Sequence, residues 1–195
     1  TSNHSFALSN AYHNIKLPGN WISINKSMLT NLHSQTAFDM NQKEQKFACF
    51  DLDNTLIRRD IYDSVVLPRD FVDASIPLHF KQIHNAGYGI IIFTNEKTIS
   101  GNINDIDYTK QRIKEKIDSI EYLFMHFNFP VFACIATKMD SFRKPDTNTL
   151  CKNNEHGGTW MWDYIKTIKK PSMEKSFYVG DAILRNTSSG DTDVM

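Results

Sequence analysis

The sequence predicts an α/β protein with a doubly wound, parallel central sheet. Three features of its 195 residues predict this class: short apolar runs of strand length, amphipathic stretches of helix length, and the alternation of the two along the chain. Hydrophobic residues make up 41% and charged residues 23% of the chain, as in ordinary folded proteins. We expect one compact domain that buries roughly 70% of the surface of the unfolded chain.

Residues 1–45 are polar and rich in Asn and Ser, and they predict an irregular lead-in packed on the domain that follows. Asn and Ser side chains compete for backbone hydrogen bonds, which disfavours a helix here. The domain itself is predicted to occupy residues 46–195. The apolar residues expected to anchor the lead-in are Trp21, Ile22, Ile24, Met28 and Leu29.

Four short runs of β-branched, aromatic and small apolar residues predict strands. None alternates between apolar and polar residues, so both faces of each strand are expected to be covered. The runs are residues 47–50, 89–93, 131–136 and 176–179.

Three amphipathic stretches between these runs predict helices at residues 77–86, 108–127 and 161–168. Strands that alternate with helices form βαβ units, which is why the sheet is predicted to be parallel. In the second stretch Ile113, Ile117, Ile120 and Phe124 recur at helical spacing and predict a core face. The basic side chains of this stretch are expected on a solvated face, with a nucleic-acid groove as the alternative: Lys110, Arg112, Lys114 and Lys116.

Charge and cysteine content narrow the function. Lys and Arg number 22, as do Asp and Glu, so the formal charge is 0 and a broadly basic nucleic-acid coat is excluded, although a local basic groove is not. Cys49, Cys134 and Cys151 are dispersed, which disfavours a disulfide framework or a four-cysteine zinc site and favours a reducing, intracellular location. The sequence shows neither a signal peptide nor an apolar run of membrane-spanning length, so no membrane partner is expected.

Polar residues follow the predicted strands where each strand ends. Asp51 and Asp53 follow the first, Thr94 and Asn95 the second, and Asp181 the fourth. The carboxyl ends of parallel strands meet at one edge of a sheet, where ligands bind. Taken alone, the segment Asp-Leu-Asp-Asn-Thr could also be a turn or a helix N-cap without a catalytic role, since Asp, Asn and Thr are common in both. The polar residues at the other strand ends, together with two cations in the loop after the third run, favour a catalytic role for this segment.

Such a set suits a phosphomonoesterase that forms an aspartyl-phosphate. One carboxylate attacks phosphorus, and a second carboxylic acid protonates the leaving alkoxide and later activates water. Magnesium, which prefers oxygen ligands, would neutralise the substrate dianion. A hydroxyl and a fixed cation would hold the equatorial oxygens, where charge concentrates in phosphoryl transfer.

The segment Phe50–Ile57 resembles the first motif of the haloacid dehalogenase superfamily, and the later positions match its other motifs in order. The resemblance is closer to one branch, the phosphatase domain of polynucleotide kinase 3′-phosphatases, and it runs from about Trp21 to Met195. Four further segments carry it: Phe93–Glu96, Phe142–Pro145, Trp160–Asp163 and Val179–Arg185.

This resemblance implies a haloacid-dehalogenase-like fold and a role for each matching residue. Asp51 would be the nucleophile and Asp53 the general acid and base, while Thr94 and Lys144 would hold phosphate oxygens. Magnesium would be bound by Asp51, Asp181 and the carbonyl of Asp53. Arg185 matches the arginine of the family. Substrate-binding roles are expected for Asn95, Arg143 and Arg58, the last as a backbone-phosphate contact together with Arg59.

The chain also departs from the family pattern. Glu96 stands where the family usually has Gln, which would put a carboxylate near the path of a polyanion. The loop at residues 98–102 lacks the arginine common there, so one phosphate contact is expected to be missing. Residues 148–158 form an insertion, and the stop at Met195 predicts a domain truncated at its C-terminus. Asp193, or less favourably Asp191, could orient Lys144 or a metal-bound water.

The spacing of the motifs bears on the substrate. Thr94 lies 41 positions after Asp53, and Lys144 lies 50 positions after Thr94, so neither interval holds a folded cap once its helix and strand are counted. An open site suits a polymer end or a protein. The favoured function is magnesium-dependent removal of 3′-phosphate from nucleic-acid ends, DNA rather than RNA, in the repair of strand breaks in the nucleus.

Two alternatives stay open. One is a phosphoprotein or small-phosphoester phosphatase that uses the same aspartate pair. The other is a non-catalytic binding module, which predicts the loss of Asp51, Asp53, Lys144 or Asp181, and none of these is lost. A 5′-kinase activity is not encoded in these residues, because they contain no GxxxxGK[ST] phosphate loop.

Overall fold

A computed structural model describes residues 5–32, 43–58, 71–101, 104–138, 140–144 and 159–181. Seven of the strands in this part of the chain form one sheet, in the order β1-β4-β5-β8-β7-β6-β9, and two more form a separate hairpin, β2-β3. The strands are β1 (Leu8–Ser9), β2 (Ala11–Tyr12), β3 (Ile15–Lys16), β4 (Ile22–Ile24), β5 (Met28–Thr30), β6 (Lys46–Phe50), β7 (Tyr88–Asn95), β8 (Val131–Ala136) and β9 (Phe177–Val179).

Strands β6, β7, β8 and β9 form the parallel part of the sheet. Phe50 of β6 lies opposite Ile92 of β7 on one side and Val179 of β9 on the other. Strand β7 continues the parallel pairing to β8. These are the four strands predicted from the apolar runs, so the α/β class and the parallel sheet are confirmed.

The helices occupy the predicted stretches and cover both faces of the sheet. They are α1 (Ile76–Asn85), the single turn α2 (Thr98–Gly101), α3 (Ile106–Phe124) and α4 (Thr159–Ile168). Helix α3 begins after Asp105, whose carboxylate accepts a hydrogen bond from the Tyr108 backbone N–H at 2.9 Å, a typical N-cap. No helix in the described ranges is long and apolar enough to cross a membrane.

Alternate residues of each central strand point into two separate cores, which explains why the runs are apolar throughout. Phe50 and Ile92 belong to the core under α1 and α3. Phe47 and Phe93 belong to the core under α4. The sheet is therefore the middle layer of three.

The expectation of an irregular lead-in is wrong for residues 8–30. Strands β1, β4 and β5 extend the central sheet antiparallel to β8, with Leu29 opposite Ile135. The anchors Trp21, Ile24, Met28 and Leu29 are buried, as expected. Strand pairing to β8 and burial outweigh the local preference of a polar segment, as tertiary context commonly does.

Two tight turns make this arrangement possible. His13 and Asn14 both have positive φ, 46° and 68°, between β2 and β3, and Asn25 and Lys26 have φ of 51° and 54° between β4 and β5. Positive φ at both central residues is typical of the turns that match the twist of a two-stranded hairpin, and Asn is among the residues that tolerate it best. Asn14 and Asn25 were therefore the available signals for strands in this segment.

Candidate active site

Asp51 follows β6 directly, at the carboxyl edge of the sheet. Its backbone N–H donates to the carbonyl of Val179 at 2.8 Å, so the pairing with β9 continues up to the carboxylate. The chain then turns sharply, with Asn54 at a φ of 62° and the N–H groups of Leu56 and Ile57 both directed at the carbonyl of Leu52.

Lys144 is the cation beside Asp51. Its Nζ lies 2.6 Å from Asp51 Oδ1 and also contacts the hydroxyl of Tyr178. The side chain of Lys144 is only 4% exposed and that of Asp51 12%, so each charge is largely shielded from water and depends on a partner. Asp51 Oδ2 accepts a longer hydrogen bond, 3.5 Å, from the hydroxyl of Thr55.

Asn95 holds the backbone of Lys144 in place. Its side-chain Nδ2 donates to the carbonyl of Lys144 at 2.8 Å, and its Oδ1 accepts from the Lys144 N–H at 3.0 Å. Asp140 shapes the same loop by accepting from the Phe142 N–H at 3.0 Å. The carboxamide of Asn95 therefore bonds the Lys144 backbone at both ends, and its expected contact with substrate stays a prediction.

Thr94, at the end of β7, is 1% exposed. Its buried Oγ1 has no hydrogen-bond partner among the described residues. Buried hydroxyls are almost always hydrogen-bonded in folded proteins, so one without a protein partner is an available donor for a ligand.

Lys116 is a site residue that the sequence prediction missed. It was expected on a solvated face, but it is 5% exposed, with its Nζ 3.2 Å from Asp53 Oδ2 and 3.8 Å from Glu96 Oε2. Lys114, by contrast, is 73% exposed, as expected. Lys116 lies three residues after Ile113 and four before Ile120, which places it on the core face of α3. That spacing was the available signal.

Glu96 is neutralised within the protein. The carboxylate is 4% exposed, accepts from the Thr98 hydroxyl, and lies 3.8 Å from both the Arg112 guanidinium and Lys116. Two cations therefore compensate the charge of Glu96 within the protein, while its effect on a polyanion stays a prediction. Arg112 Nε also donates to Thr98 Oγ1 at 3.4 Å, so a guanidinium does reach this loop from α3.

The remaining predicted residues differ in burial. Arg143 is 3% exposed beside Lys144, Arg58 is exposed, and Asp181 is half-buried two residues after β9. Trp162 packs against Phe47 and Phe93, with ring centroids 6.2 and 5.6 Å apart, so it belongs to the core. Outside the described residues lie Arg59, Asn102, residues 148–158, Arg185, Asp191 and Asp193, and the side chain of Trp160.

Two cysteines near the site are unsuited to nucleophilic chemistry. Cys49 lies two residues before Asp51, and Cys134 lies in β8; both are buried and free. Burial raises the pKa of the Cys49 thiol well above its usual range and that of Cys134 to about 12, since the interior disfavours a thiolate. Neither therefore competes with Asp51 as a nucleophile.

The oxygen groups at this edge fit a small, hard divalent cation. Asp51 and Asp181 follow the neighbouring strands β6 and β9, and Asp53 lies two residues after Asp51 in the turn that follows β6. Among the described residues, no three His, Cys, Asp or Glu side chains cluster closely enough to hold a metal by themselves. Magnesium usually takes only one or two carboxylates, with water and substrate phosphate as its other ligands, so this donor set suits it.

Comparisons with known proteins agree with the geometry. The family model described as polynucleotide kinase 3 phosphatase matches residues 46–194. This chain belongs to that family. The predicted resemblance is thereby confirmed, as is the prediction of a phosphatase enzyme at the level of the family.

Three relatives show how the family extends beyond this chain. An uncharacterized 20.8 kDa protein of the Autographa californica nuclear polyhedrosis virus is 30% identical over 77% of this chain and 74% of its own length. The polynucleotide 3′-phosphatase ZDP of Arabidopsis thaliana is 28% identical over 77% of this chain but only 22% of its own length. The bifunctional polynucleotide phosphatase/kinase of Schizosaccharomyces pombe is 27% identical over 78% of this chain and 34% of its own. The match to this chain thus spans only 22% and 34% of the lengths of the two named phosphatases.

A solved HAD-like phosphatase from Mesorhizobium loti superposes on this chain with a TM-score of 0.49 and 13% identity. The match covers 80% of this chain and 70% of that one. The likeness is too weak to add to what the topology already shows.

Proposed function

We propose that this chain removes the phosphate from the 3′ end of a nucleic acid through an aspartyl-phosphate on Asp51. The contact between Asp51 and Lys144, 2.6 Å at the carboxyl edge of a parallel sheet, carries the proposal. It pairs a nucleophilic carboxylate with a cation in a part of the chain that belongs to a 3′-phosphatase family.

In the first step the Asp51 carboxylate attacks phosphorus. A bond forms between an Asp51 oxygen and phosphorus, the bond from phosphorus to the 3′ oxygen breaks, and the Asp53 carboxylic acid gives its proton to that oxygen. Lys144 and the Thr94 hydroxyl hold the equatorial phosphate oxygens. Thr94 suits this role because its buried Oγ1 lacks a partner among the described residues.

In the second step water attacks the aspartyl-phosphate. Asp53, now a carboxylate, takes the proton from the water, the bond between Asp51 and phosphorus breaks, and inorganic phosphate leaves. Lys116, 3.2 Å from Asp53 Oδ2, holds the Asp53 carboxyl group in one position, both as the acid of the first step and as the carboxylate of the second. Asp51 and Asp53 return to their starting states.

Magnesium is the metal we propose, held by Asp51, Asp181 and the Asp53 carbonyl. When bound, it would neutralise phosphate charge that otherwise repels the two aspartates. Chelation is expected to abolish phosphate release and magnesium to restore it. Calcium should restore it poorly, because its larger and looser coordination shell disturbs the in-line geometry. Full activity in chelator would contradict this part of the proposal.

The substrate we propose is DNA in preference to RNA, at strand breaks with a 3′-phosphate, and the cellular site is the nucleus. The names of the two plant and yeast relatives support a polynucleotide substrate. Buried free thiols at Cys49 and Cys134 suit a reducing compartment.

The deciding experiment compares phosphate release from three substrates in magnesium. These are a 3′-phosphorylated DNA oligonucleotide, the same sequence in RNA, and a phosphoserine peptide. We expect the DNA substrate to have the highest kcat/KM. A higher kcat/KM for the peptide would contradict the nucleic-acid substrate but not the aspartyl-phosphate chemistry of Asp51. No phosphate release from any of the three substrates would contradict the proposal that the chain is an active phosphatase.

A further inference from the structure

A cleft of about 550 Å³ opens beside the turn that carries Asp53. One wall comes from Ile57 and Arg58, just after that turn, and another from Phe71, ahead of α1. The third wall is the C-terminal part of α3 and the residues after it, with Ser119, Tyr122 and His126. This volume lies within the ordinary range for small-ligand sites.

The cleft is lined by aromatic rings. His126 lies between Phe71 and Tyr122, with ring centroids 5.2 Å from each and edge-to-face geometry on both sides. Tyr122 is 41% exposed, so part of its ring is accessible to a ligand. Rings that line an open cleft are what a flat, polarizable ligand requires for stacking.

Ser119 gives the cleft a hydrogen-bonding group. The residue is 4% exposed, and its buried Oγ has no hydrogen-bond partner among the described residues. A hydroxyl without a protein partner at the wall of a cleft is available to a ligand that carries polar atoms.

The charge of the cleft restricts its ligand. Arg58 is exposed at the wall, and none of the described residues that line the cleft is a carboxylate. An apolar, aromatic pocket with one cation and one hydroxyl suits a nucleobase attached to a phosphate backbone better than a cation or a purely apolar group.

Two of the residues that line the cleft are near neighbours of Asp53 or of its partner Lys116. Ile57 forms a β-bridge with Asp53. On α3, Lys116 contacts Asp53 while Ser119 lines the cleft, only three residues or about 4.5 Å further along the helix axis. A strand whose 3′ end lies at Asp53 would therefore pass close to the cleft.

We propose that this cleft binds a nucleobase from the last two nucleotides of the substrate strand. The base stacks among Phe71, Tyr122 and His126, and it bonds the Ser119 hydroxyl. Arg58 contacts the backbone phosphate beside it. The inference rests on the proposed function, because it assumes a nucleic-acid end at Asp51.

The test uses 3′-phosphorylated DNA trinucleotides, intact or with an abasic sugar at the last or the penultimate position. Tyr122→Ala should lower kcat/KM for the intact trinucleotide about five- to a hundredfold, mainly through KM, since one stacked base contributes that much. One of the two abasic substrates should show the same loss with the unmodified protein. On that substrate Tyr122→Ala should cause no further loss, because the stacked base is already absent.

Tyr108→Ala is the matched control, since Tyr108 lies on the same helix with 36% exposure and does not line the cleft. It should leave kcat/KM for every trinucleotide unchanged, and Tyr122→Phe should retain most of the unmodified activity because it keeps the ring. Equal losses for Tyr122→Ala on intact and abasic substrates, or no loss at either abasic position, would overturn the cleft alone. Failure of the unmodified protein to release phosphate from any trinucleotide would overturn the proposed function and the cleft together.

Discussion

Asp51 and Asp53 are separated by a single residue, yet each is held by a lysine from a different part of the molecule. Lys144, in the loop after β8, lies 2.6 Å from Asp51 Oδ1. Lys116, on the inward face of α3, lies 3.2 Å from Asp53 Oδ2. The two carboxylates of one short motif therefore lie beside different lysines, one from the loop after β8 and one from α3.

The two environments differ in how firmly the cation is fixed. The backbone of Lys144 is held by both ends of the Asn95 carboxamide, and its ammonium also contacts the Tyr178 hydroxyl. Lys116 divides its charge between Asp53 and Glu96, at 3.2 and 3.8 Å. A fixed cation suits a carboxylate that must attack along one line, and a shared one suits a carboxylate that must release and regain a proton.

The largest effect is expected at Asp51. Asp51→Asn should reduce phosphate release from a 3′-phosphorylated oligonucleotide by about 10³-fold or more, because an amide does not attack phosphorus. Asp118→Asn is the control, since Asp118 is exposed and its ion pair among the described residues is with Lys114 on the surface of α3. Retention of even a tenth of the activity would remove Asp51 from the nucleophile role.

Asp53→Asn should separate substrates by their leaving groups. For a deoxyribose 3′ oxygen the loss should be about 10²- to 10⁴-fold, the usual contribution of a general acid. An activated aryl phosphate needs little protonation, so its first step should lose much less, as measured by the burst of phenol release. Equal losses in that step for both substrates would contradict the assignment of Asp53 as the general acid.

Lys116→Met tests whether the helix lysine serves Asp53. Removing the cation should lower kcat for the oligonucleotide about ten- to a hundredfold by freeing the Asp53 carboxyl to move, and should affect the aryl phosphate burst less. It should also cost about 1.5–3 kcal/mol in the free energy of unfolding, measured with urea. Lys116→Arg should recover part of the activity, which a purely structural lysine would not require.

Lys114→Met is the matched control, because Lys114 is exposed and lies two residues before Lys116 on the same helix. It should leave both kcat and the urea midpoint unchanged. Equal losses on the two substrates for Lys116→Met would show that the lysine supports the fold rather than Asp53.

Glu96→Gln should have the smallest effect. The shorter of the two contacts joins Lys116 to Asp53, and Gln keeps the shape of the side chain, so activity should stay within about threefold. A double-mutant cycle with Lys116→Met measures the coupling between the two residues. A loss for Glu96→Gln as large as that for Lys116→Met would show that Glu96, not Asp53, is the main partner of the lysine.

Much of this architecture could be predicted from the sequence. The four apolar runs and the three amphipathic stretches were placed correctly because strand and helix periodicity are local properties of the chain. The polar residues at the strand ends followed from chain order, since parallel strands bring their carboxyl ends to one edge. Asp51 and Thr94 could be named for that reason, whereas the role of Lys144 came from the family resemblance.

Other features depend on contacts between residues far apart in the chain. The lead-in forms strands because β8 offers it an edge to pair with, an energy that the polar composition of residues 8–30 does not reveal. Asn95 was recognised as a site residue, but its bond to Lys144 joins segments 49 positions apart. The local sequence pattern could not predict that the lead-in pairs with β8 or that Asn95 bonds Lys144.

Lys116 shows most clearly what the local sequence pattern predicts and what only long-range contacts decide. Its spacing from Ile113 and Ile120 already placed it on the core face of α3, but a lysine in a largely polar helix segment is ordinarily solvated. Only the packing of α3 against the turn after β6 brought Asp53 and Glu96 within reach of its ammonium. The sequence by itself determined the order of the elements and the residues at their ends, because those follow from periodicity and chain direction. The tertiary structure decided which charges meet, because burying a cation is favourable only where the fold supplies a carboxylate to compensate it.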